Sequence, residues 1–328
     1  MAQQSLQGYR VSDPVLTTVV HGYCQADSIA PFIAPTVPVS VRGGKVVKFG
    51  KEQFAIQNTR RSPGSTIQRV TTGYSSENYS LNQHALGSEV TEEAYQEALN
   101  GEARIDLRNY AALRTSENIM LSWEQEVVDT ITDSTKYEAN NQEVLAGAAQ
   151  FSDASSDPEK TVQDWKEAVR TQIGCYPNSM VISTDVFTAL KFHPVFRDRV
   201  KYTSVASINL DMLATWFDLP RGIRVANKVA LNASNELVDI MPSGTAVLFY
   251  SPETKVAAGF MPQAGADKAT PSYAYTYMLD GYPIATPERL DEDRRVYVSD
   301  IIIEQSLQLT GLGATGKVGA GFLATDVV

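Results

Sequence analysis

The 32 residues from Ala103 to Ser134 contain neither glycine nor proline. A window that long without a breaker favours helix, and Ile105, Tyr110, Leu113, Leu121, Val128 and Ile131 recur in it at intervals compatible with an amphipathic one. At 1.5 Å per residue the predicted helix spans about 48 Å, far beyond the average globular helix. Such a rod suits a strut. A chain of 328 residues that is 43% hydrophobic has enough apolar material to bury it within one large or two ordinary domains.

Charge is the second constraint. With 28 Lys and Arg against 38 Asp and Glu the net charge is -10, so the average surface repels phosphate and nucleic acid could be gripped only at a segregated basic patch. One such patch exists. Between Arg42 and Arg69 seven bases, Arg42, Lys45, Lys48, Lys51, Arg60, Arg61 and Arg69, face a single acid, Glu52. The following stretch, Glu89 to Glu102, holds Glu89, Glu92, Glu93, Glu97 and Glu102 with no base. Two solvated faces fit this pattern, and so does a basic block that meets the acidic block of another copy of the chain.

The basic block has the form of a hairpin. Val46, Val47, Phe49, Phe54 and Ile56 mark one extended run and Ile67, Val70, Tyr74 and Tyr79 a second, with Pro63-Gly64 supplying the turn between them. An isolated two-stranded ribbon is marginal in water, so an arm this long, with few large apolar residues, is expected to lie on something else. Self-association answers that need.

Beyond the long helix the pattern alternates. Asp157 and Pro158 read as N-cap and first residue of a helix carrying Val162, Trp165, Val169 and Ile173, with Gly174 at its C-terminal cap. Met180 to Ile182 reads as a buried strand, Thr184 as the cap of a helix that His193-Pro194 ends, Leu210 to Phe217 as a helix, and Ile223 to Val229 and Gly244 to Tyr250 as strands. This is a layered α+β or α/β module. After Pro271 strands dominate, Tyr273 to Tyr277 and then Arg295 through Ile301 and Ile303 to Leu309, before a glycine-rich segment and an apolar tail.

Motifs for chemistry are weak. Gly311-Leu-Gly-Ala-Thr-Gly316-Lys317-Val318 imitates a phosphate loop, but Val318 stands where a hydroxyl must hold magnesium and the ten residues that follow leave no room for the required helix. A glycine turn between strands is the expectation. His21, His84 and His193 are scattered, Cys24 and Cys175 form no Cys-x-x-Cys, and the acids Asp291-Glu-Asp293 are answered by Arg294-Arg295. Trp123, Trp165 and Trp216 fall in predicted helices, where core packing is the default. No catalytic constellation, cofactor site or metal site is expected. No window approaches the roughly 18 to 20 apolar residues of a membrane span, and the first residues lack the layout of a secretory signal, so synthesis in the cytoplasm and no membrane contact are expected.

The order of elements, an irregular N-terminal segment, a long basic hairpin, one very long helix, an α/β module and late strands, resembles the major capsid proteins of tailed bacteriophages with the HK97-type fold. Arg61-Ser-Pro-Gly-Ser65 with Tyr79-Ser-Leu81 resembles the extended E-loop and its return. Pro177 to Thr184 and on through Leu190 resembles the strand and helix of the axial (A) domain, and Gly281-Tyr-Pro283 with the strand after Arg295 the late strands of the peripheral (P) domain. The resemblance implies an α+β fold divided into an N-terminal arm (1–41), an E-loop hairpin (42–84), a P domain (85–150 and 268–310) built on the long helix, an A domain (151–267) and a C-terminal segment (311–328). It implies a structural protein, not an enzyme, that assembles with itself as hexamers and pentamers of an icosahedral shell around phage DNA contacted non-specifically. An encapsulin-like shell around a cargo enzyme is the alternative. A separate scaffolding protein, a portal and a decoration protein would be its partners, and the virion its final location. Some relatives crosslink a loop lysine to a neighbour; Lys45, Lys48 and Lys51 are present, but no acidic catalyst or acceptor is evident, and that chemistry is not carried over. The contacts between copies are expected to use Lys45, Lys48, Lys51, Arg60, Arg61 and Arg69 against Glu89, Glu92, Glu93 and Glu97.

Overall fold

The computed structural model describes residues 28–48, 60, 75–100, 106–201, 207–251, 272–311 and 317–328. In chain order its first elements are α1 (Ala30–Ile33), β1 (Thr36–Val39), β2 (Gly43–Lys48), β3 (Ser75–Ser80), β4 (Asn82–Thr91), α2 (Glu92–Asn100) and α3 (Leu107–Thr132). The middle holds β5 (Gln142–Val144), α4 (Pro158–Ile173), β6 (Ser179–Ser183), α5 (Thr184–Phe192), α6 (Pro194–Val200), α7 (Leu210–Trp216) and β7 (Gly222–Ala226). There follow β8 (Val229–Leu231), β9 (Leu237–Asp239), β10 (Ala246–Phe249), β11 (Ala274–Leu279), β12 (Ile284–Ala285), β13 (Arg289–Asp291), β14 (Val296–Leu309) and β15 (Gly321–Thr325).

The long helix is continuous through Ser116 and Ser122. It starts where Asp106 accepts hydrogen bonds from the Arg108 and Asn109 backbone N–H groups, and its 26 residues run about 39 Å. The expected stripe was phased incorrectly at its start. Tyr110 is 56% exposed, and the buried face instead runs through Ala112, Thr115 and Ser116, Ile119 and Met120, Trp123 and Glu124, Val127 and Val128, and Ile131. That face repeats every three to four residues as a helix demands, but three of its members are polar, which hides it from an apolar count.

Two sheets flank this helix. In the first, β14 pairs antiparallel with β4 over ten residues, Val296 opposite Thr91 through Gln305 opposite Asn82. It also pairs in turn with β13, β12 and β11, which form a broken strand running back against it, while β1 lies parallel to β11. Ile301 and Ile303 of β14 and Ala274 and Met278 of β11 enter one core with α3. Val298 is only partly buried.

The second sheet has the order β5-β15-β10-β6-β7 and is covered on both faces. Val181, Ala226, Val247, Phe249 and Leu323 face the core that contains α3, whereas Met180, Ile182, Ile223, Ala246, Leu248, Phe322 and Ala324 face a second core with Val162, Trp165 and Val169 of α4, Leu190 of α5 and Leu213 of α7. Successive side chains of a strand point to opposite faces, so a strand that serves two cores is buried throughout, as β6 and β10 are. The caps expected of α4 are present: Asp157 accepts from the Lys160 N–H, Pro158 opens the helix, and Gly174 closes it at φ 73°.

Four local expectations are corrected. Ser183, not Thr184, occupies the cap position of α5, and Thr184 is its first residue. His193 does end α5, but it also caps the next helix, its Nδ1 accepting from the Val195 N–H at 3.3 Å while Pro194 opens α6. The strand expected from Ile223 to Val229 is split, because Lys228 turns inward to an acid between β7 and β8. The last segment is not a tail outside the layers: β15 lies between β10 and β5 within the second sheet. Gly321 is required there, since a Cβ would lie 2.4 Å from the Tyr273 ring. A strand therefore follows Val318, where a phosphate loop needs a helix.

One buried ion pair joins the parts. Glu124 of α3 is 1% exposed and accepts hydrogen bonds from Lys228 Nζ at 2.9 Å, from the Ile29 N–H at 3.0 Å and from the Ser28 hydroxyl. It thus ties the long helix to the entry of α1 and to the end of β7. Removing one partner of a buried pair strands the other charge, at a cost of about 3–5 kcal/mol, whereas replacing both by apolar groups costs much less. Urea unfolding is expected to show that Glu124→Leu and Lys228→Met each destabilise by about that amount, while the double variant loses less than the more damaging single one. Additive losses would contradict the pairing.

Candidate functional site

The basic arm leaves the body at a root built from both of its strands. β2 and β3 pair antiparallel, Gly43 opposite Ser80 through Lys48 opposite Ser75, and form a two-stranded sheet of their own. The expected tip, including Pro63-Gly64, lies outside the described residues. At the root Tyr79 is 7% exposed and stacks on Tyr277 of β11, with ring centroids 5.0 Å apart and planes 14° from parallel. Val37, Val39 and Tyr275 complete this small core. It lies on the face of the first sheet opposite α3, because Tyr275 and Tyr277 alternate with Ala274 and Met278 along β11.

The approach of Tyr79 dictates the residue beneath it. A Cβ at Gly44 would lie 2.8 Å from the Tyr79 ring, so only glycine admits the ring over β2. Beside it Arg42 Nε and Nη2 donate to the two carboxylate oxygens of Glu304 at 2.6 and 3.0 Å, and Tyr282 Oη donates to the same carboxylate at 2.9 Å. Glu304 is almost wholly covered, while Arg42 is half-exposed. The bonded carboxylate raises the Arg42 pKa further. These contacts make the root part of the subunit's own packing, whereas the rest of the described ribbon pairs only with itself. An aromatic stack adds about 0.5–1.5 kcal/mol beyond the area it buries, and an ion pair with an exposed partner adds little, so the stack dominates the anchorage.

The acidic block divides. Glu89, near the end of β4, holds Arg294 through two bonds of 2.7 and 2.8 Å. Glu92, the first residue of α2, holds Arg295 at 2.7 and 3.0 Å. Both arginines sit in the turn between β13 and β14, where Asp291 Oδ1 accepts from the Asp293 and Arg294 N–H groups, and both have raised pKa values because of these carboxylates. Glu93 and Glu97 are exposed on α2 and form no ion pair among the described residues. Glu92 and Glu93 lie in the first turn of α2, where negative charge meets the positive end of the helix dipole. Arg108 lies 4.3 Å over the Tyr95 ring and bonds Glu288 at 2.7 Å, fastening α2 to the same end of the sheet.

Of the predicted basic contacts, Lys45 and Lys48 belong to β2 and Arg60 is exposed; Lys51, Arg61 and Arg69 lie outside the described residues. Sequence reasoning missed Tyr277, Tyr282 and Glu304, whose partners are more than 20 residues distant. Their only local signal is parity: Tyr275 and Tyr277 alternate with smaller residues and so need cover on a second face. Among the described residues no group of three His, Cys, Asp or Glu is placed to hold a metal ion, and no helix is long and apolar enough to cross a membrane.

Comparison with known proteins agrees with this architecture. Residues 110–281 match the model of the family described as phage major capsid protein E. The chain is 31% identical over 283 residues to the major capsid protein of Burkholderia phage BcepMu, covering 85% of this chain and 87% of that one. It superposes on the crystal structure of a phage-related protein from Bordetella bronchiseptica RB50 with a TM-score of 0.77 and 30% identity, covering 97% of this chain and 98% of that one. The SrpI encapsulin of Synechococcus elongatus shares the fold at a TM-score of 0.53 and 11% identity, over 91% of this chain and 86% of that one.

Burial pushes the Tyr277 pKa up to about 12, aided by Tyr79, and raises that of Tyr79 as well. Both phenols stay protonated in the folded protein at pH values where an unfolded tyrosine, with a pKa of about 10, ionises. Their contribution to stability is therefore complete below about pH 10 and is lost as pH rises from there towards 12. The urea midpoint should fall over that window, and fall less steeply in Tyr277→Phe. Identical slopes would show that the stack does not carry this linkage.

Proposed function

The chain belongs to the phage major capsid protein E family, and from that premise we propose how the parts of the subunit serve its shell. It is a structural, non-enzymatic protein of the virion that forms a capsid shell. The phage relative matches at 31% identity and the encapsulin at 11%, so the phage capsid reading takes precedence over the cargo compartment.

Residues 1–41 are the N-terminal arm in this reading and 42–84 the E-loop. Residues 85–150 and 268–310, with α3 as their strut, are the P domain, and 151–267 the A domain, completed by β15 from the C-terminal segment, 311–328. The observation that carries it is an arm fixed at its root to its own sheet, whose two strands, among the described residues, pair only with each other. A ribbon of that kind is completed by a surface it does not own. Neighbouring copies supply that surface, in hexamers and pentamers. Lys45, Lys48, Lys51, Arg60, Arg61 and Arg69 of one copy lie against acids of the next. Glu93 and Glu97 suit that role better than Glu89 and Glu92, which Arg294 and Arg295 already engage. The negative body confines packaged DNA without adhering to it. A separate scaffolding protein, a portal and a decoration protein complete the assembly.

Exposed ion pairs are individually weak and fade with salt, but each is repeated at every copy of a shell. Arg60→Glu with Arg61→Glu is expected to leave the far-UV spectrum unchanged and to yield free subunits or shells that fall apart at salt concentrations the wild type survives. Electron micrographs of particles from the two proteins provide the comparison. Intact particles in normal yield, with unchanged salt resistance, would remove electrostatic clamping by the arm from the mechanism.

A further inference from the structure

Two arginines share one aromatic ring beside the entry of the N-terminal segment. The guanidinium carbon of Arg221 lies 4.4 Å from the centroid of Phe32, in α1, and that of Arg224 lies 5.6 Å from it. Arg221 Nη1 donates to the Phe32 carbonyl at 2.6 Å and to Ser179 Oγ at 3.5 Å, but its Nε and Nη2 are buried and have no hydrogen-bond partner among the described residues. Neither arginine pairs with a carboxylate among the described residues, in contrast to Arg42, Arg294 and Arg295 of the first sheet. Burial and the charge of Arg224 lower the Arg221 pKa to about 10. A guanidinium has no route to neutrality near pH 7, so two adjacent positive charges with orphaned donors are an unrelieved cost in the free subunit.

The surroundings indicate what relieves it. Arg224 is exposed, and its strand, β7, is the edge of the second sheet, paired on one side with β6 and open on the other among the described residues. A planar guanidinium stacked on an aromatic ring, with a second one beside it and free backbone groups along the adjoining edge, matches the forked geometry of a carboxylate. Nucleic acid is the poorer fit. Two charges on a chain of net charge -10 do not make the extended basic strip that a phosphate backbone follows, whereas copies of this chain carry surplus carboxylates.

We propose that Arg221 and Arg224, on the floor formed by Phe32, receive a carboxylate from a second copy of this chain when subunits meet, making this corner of the second sheet a contact of the shell. The proposal rests on the shell function but uses neither the arm nor its basic residues, so its failure and that of the arm clamp are separately visible. The incoming carboxylate bonds exposed Arg224, and its charge offsets the mutual repulsion of the two guanidinium groups.

The test compares full-length wild-type, Arg224→Glu and Arg224→Lys chains for shell yield, with far-UV circular dichroism and melting of the free subunits as the folding control. Arg224→Glu is expected to fold normally and to lower the shell yield by about tenfold or more, since reversal puts repulsion at every copy, while Arg224→Lys retains most of it. Phenylglyoxal labelling, read by peptide mass, is a second measurement that needs no variant: Arg224 should label readily in wild-type free subunits and be protected in shells. Wild-type yield and salt resistance from Arg224→Glu, or equal labelling in shells and subunits, would overturn the proposal. Shells that form normally from Arg224→Glu but lose their DNA would overturn it too, by assigning the contact to nucleic acid.

Discussion

The second sheet must serve two cores at once, and most of the subunit follows from that. Its strands β6, β10 and β15 send alternate side chains to the α3 core and to the α4–α7 core. A strand in that position presents neither face to water, so the two halves of the subunit are joined by shared apolar packing rather than by a linker. Glu124 is the exception inside this junction, and it is answered by Lys228 and by the backbone at Ile29. The N-terminal segment therefore enters the body where the long helix and the second sheet meet.

The first sheet applies the same economy to its own two faces. One face lies on α3; the other carries Tyr275, Tyr277 and Glu304, which together hold the root of the arm. With Tyr79 seated over Gly44 and Arg42 on Glu304, the arm has a fixed origin. The charges at the far end of this sheet are largely balanced within the subunit, Arg294 by Glu89 and Arg295 by Glu92. Among the described residues Glu93 and Glu97 on α2, and Arg221 and Arg224 beside Phe32, form no such ion pair.

Local signals in the sequence were sound where the physics is local. The long helix could be read from the absence of glycine and proline, and the caps of α4 from Asp157, Pro158 and Gly174, because caps are decided by neighbours within four residues. Of the two runs expected to form the arm, only β2 and β3 are described, and they pair with each other. What distant partners decide was not legible. The buried stripe of α3 includes Thr115, Ser116 and Glu124, and the last is accounted for by Lys228, Ile29 and Ser28, each more than 90 residues away. β15 is five residues long among glycines, and its neighbours β5 and β10 lie far back along the chain. The acidic block appeared as a run of charge, but the partners of Glu89 and Glu92 sit in a turn about 200 residues later. At the candidate contacts the residue types could be read and their pairing could not.

If neighbouring copies complete an arm that its own subunit anchors only at the root, order is gained there on assembly. Hydrogen exchange of free subunits and of shells, followed by mass spectrometry, measures it directly. The amides of α3 and β14 should be equally protected in both states, because their partners are within the subunit. Those of β2 and β3, whose described partners are only each other, should exchange quickly in free subunits and become strongly protected in shells. Equal protection of β2 and β3 in the two states would contradict the account, since the arm would then be complete before any neighbour arrives.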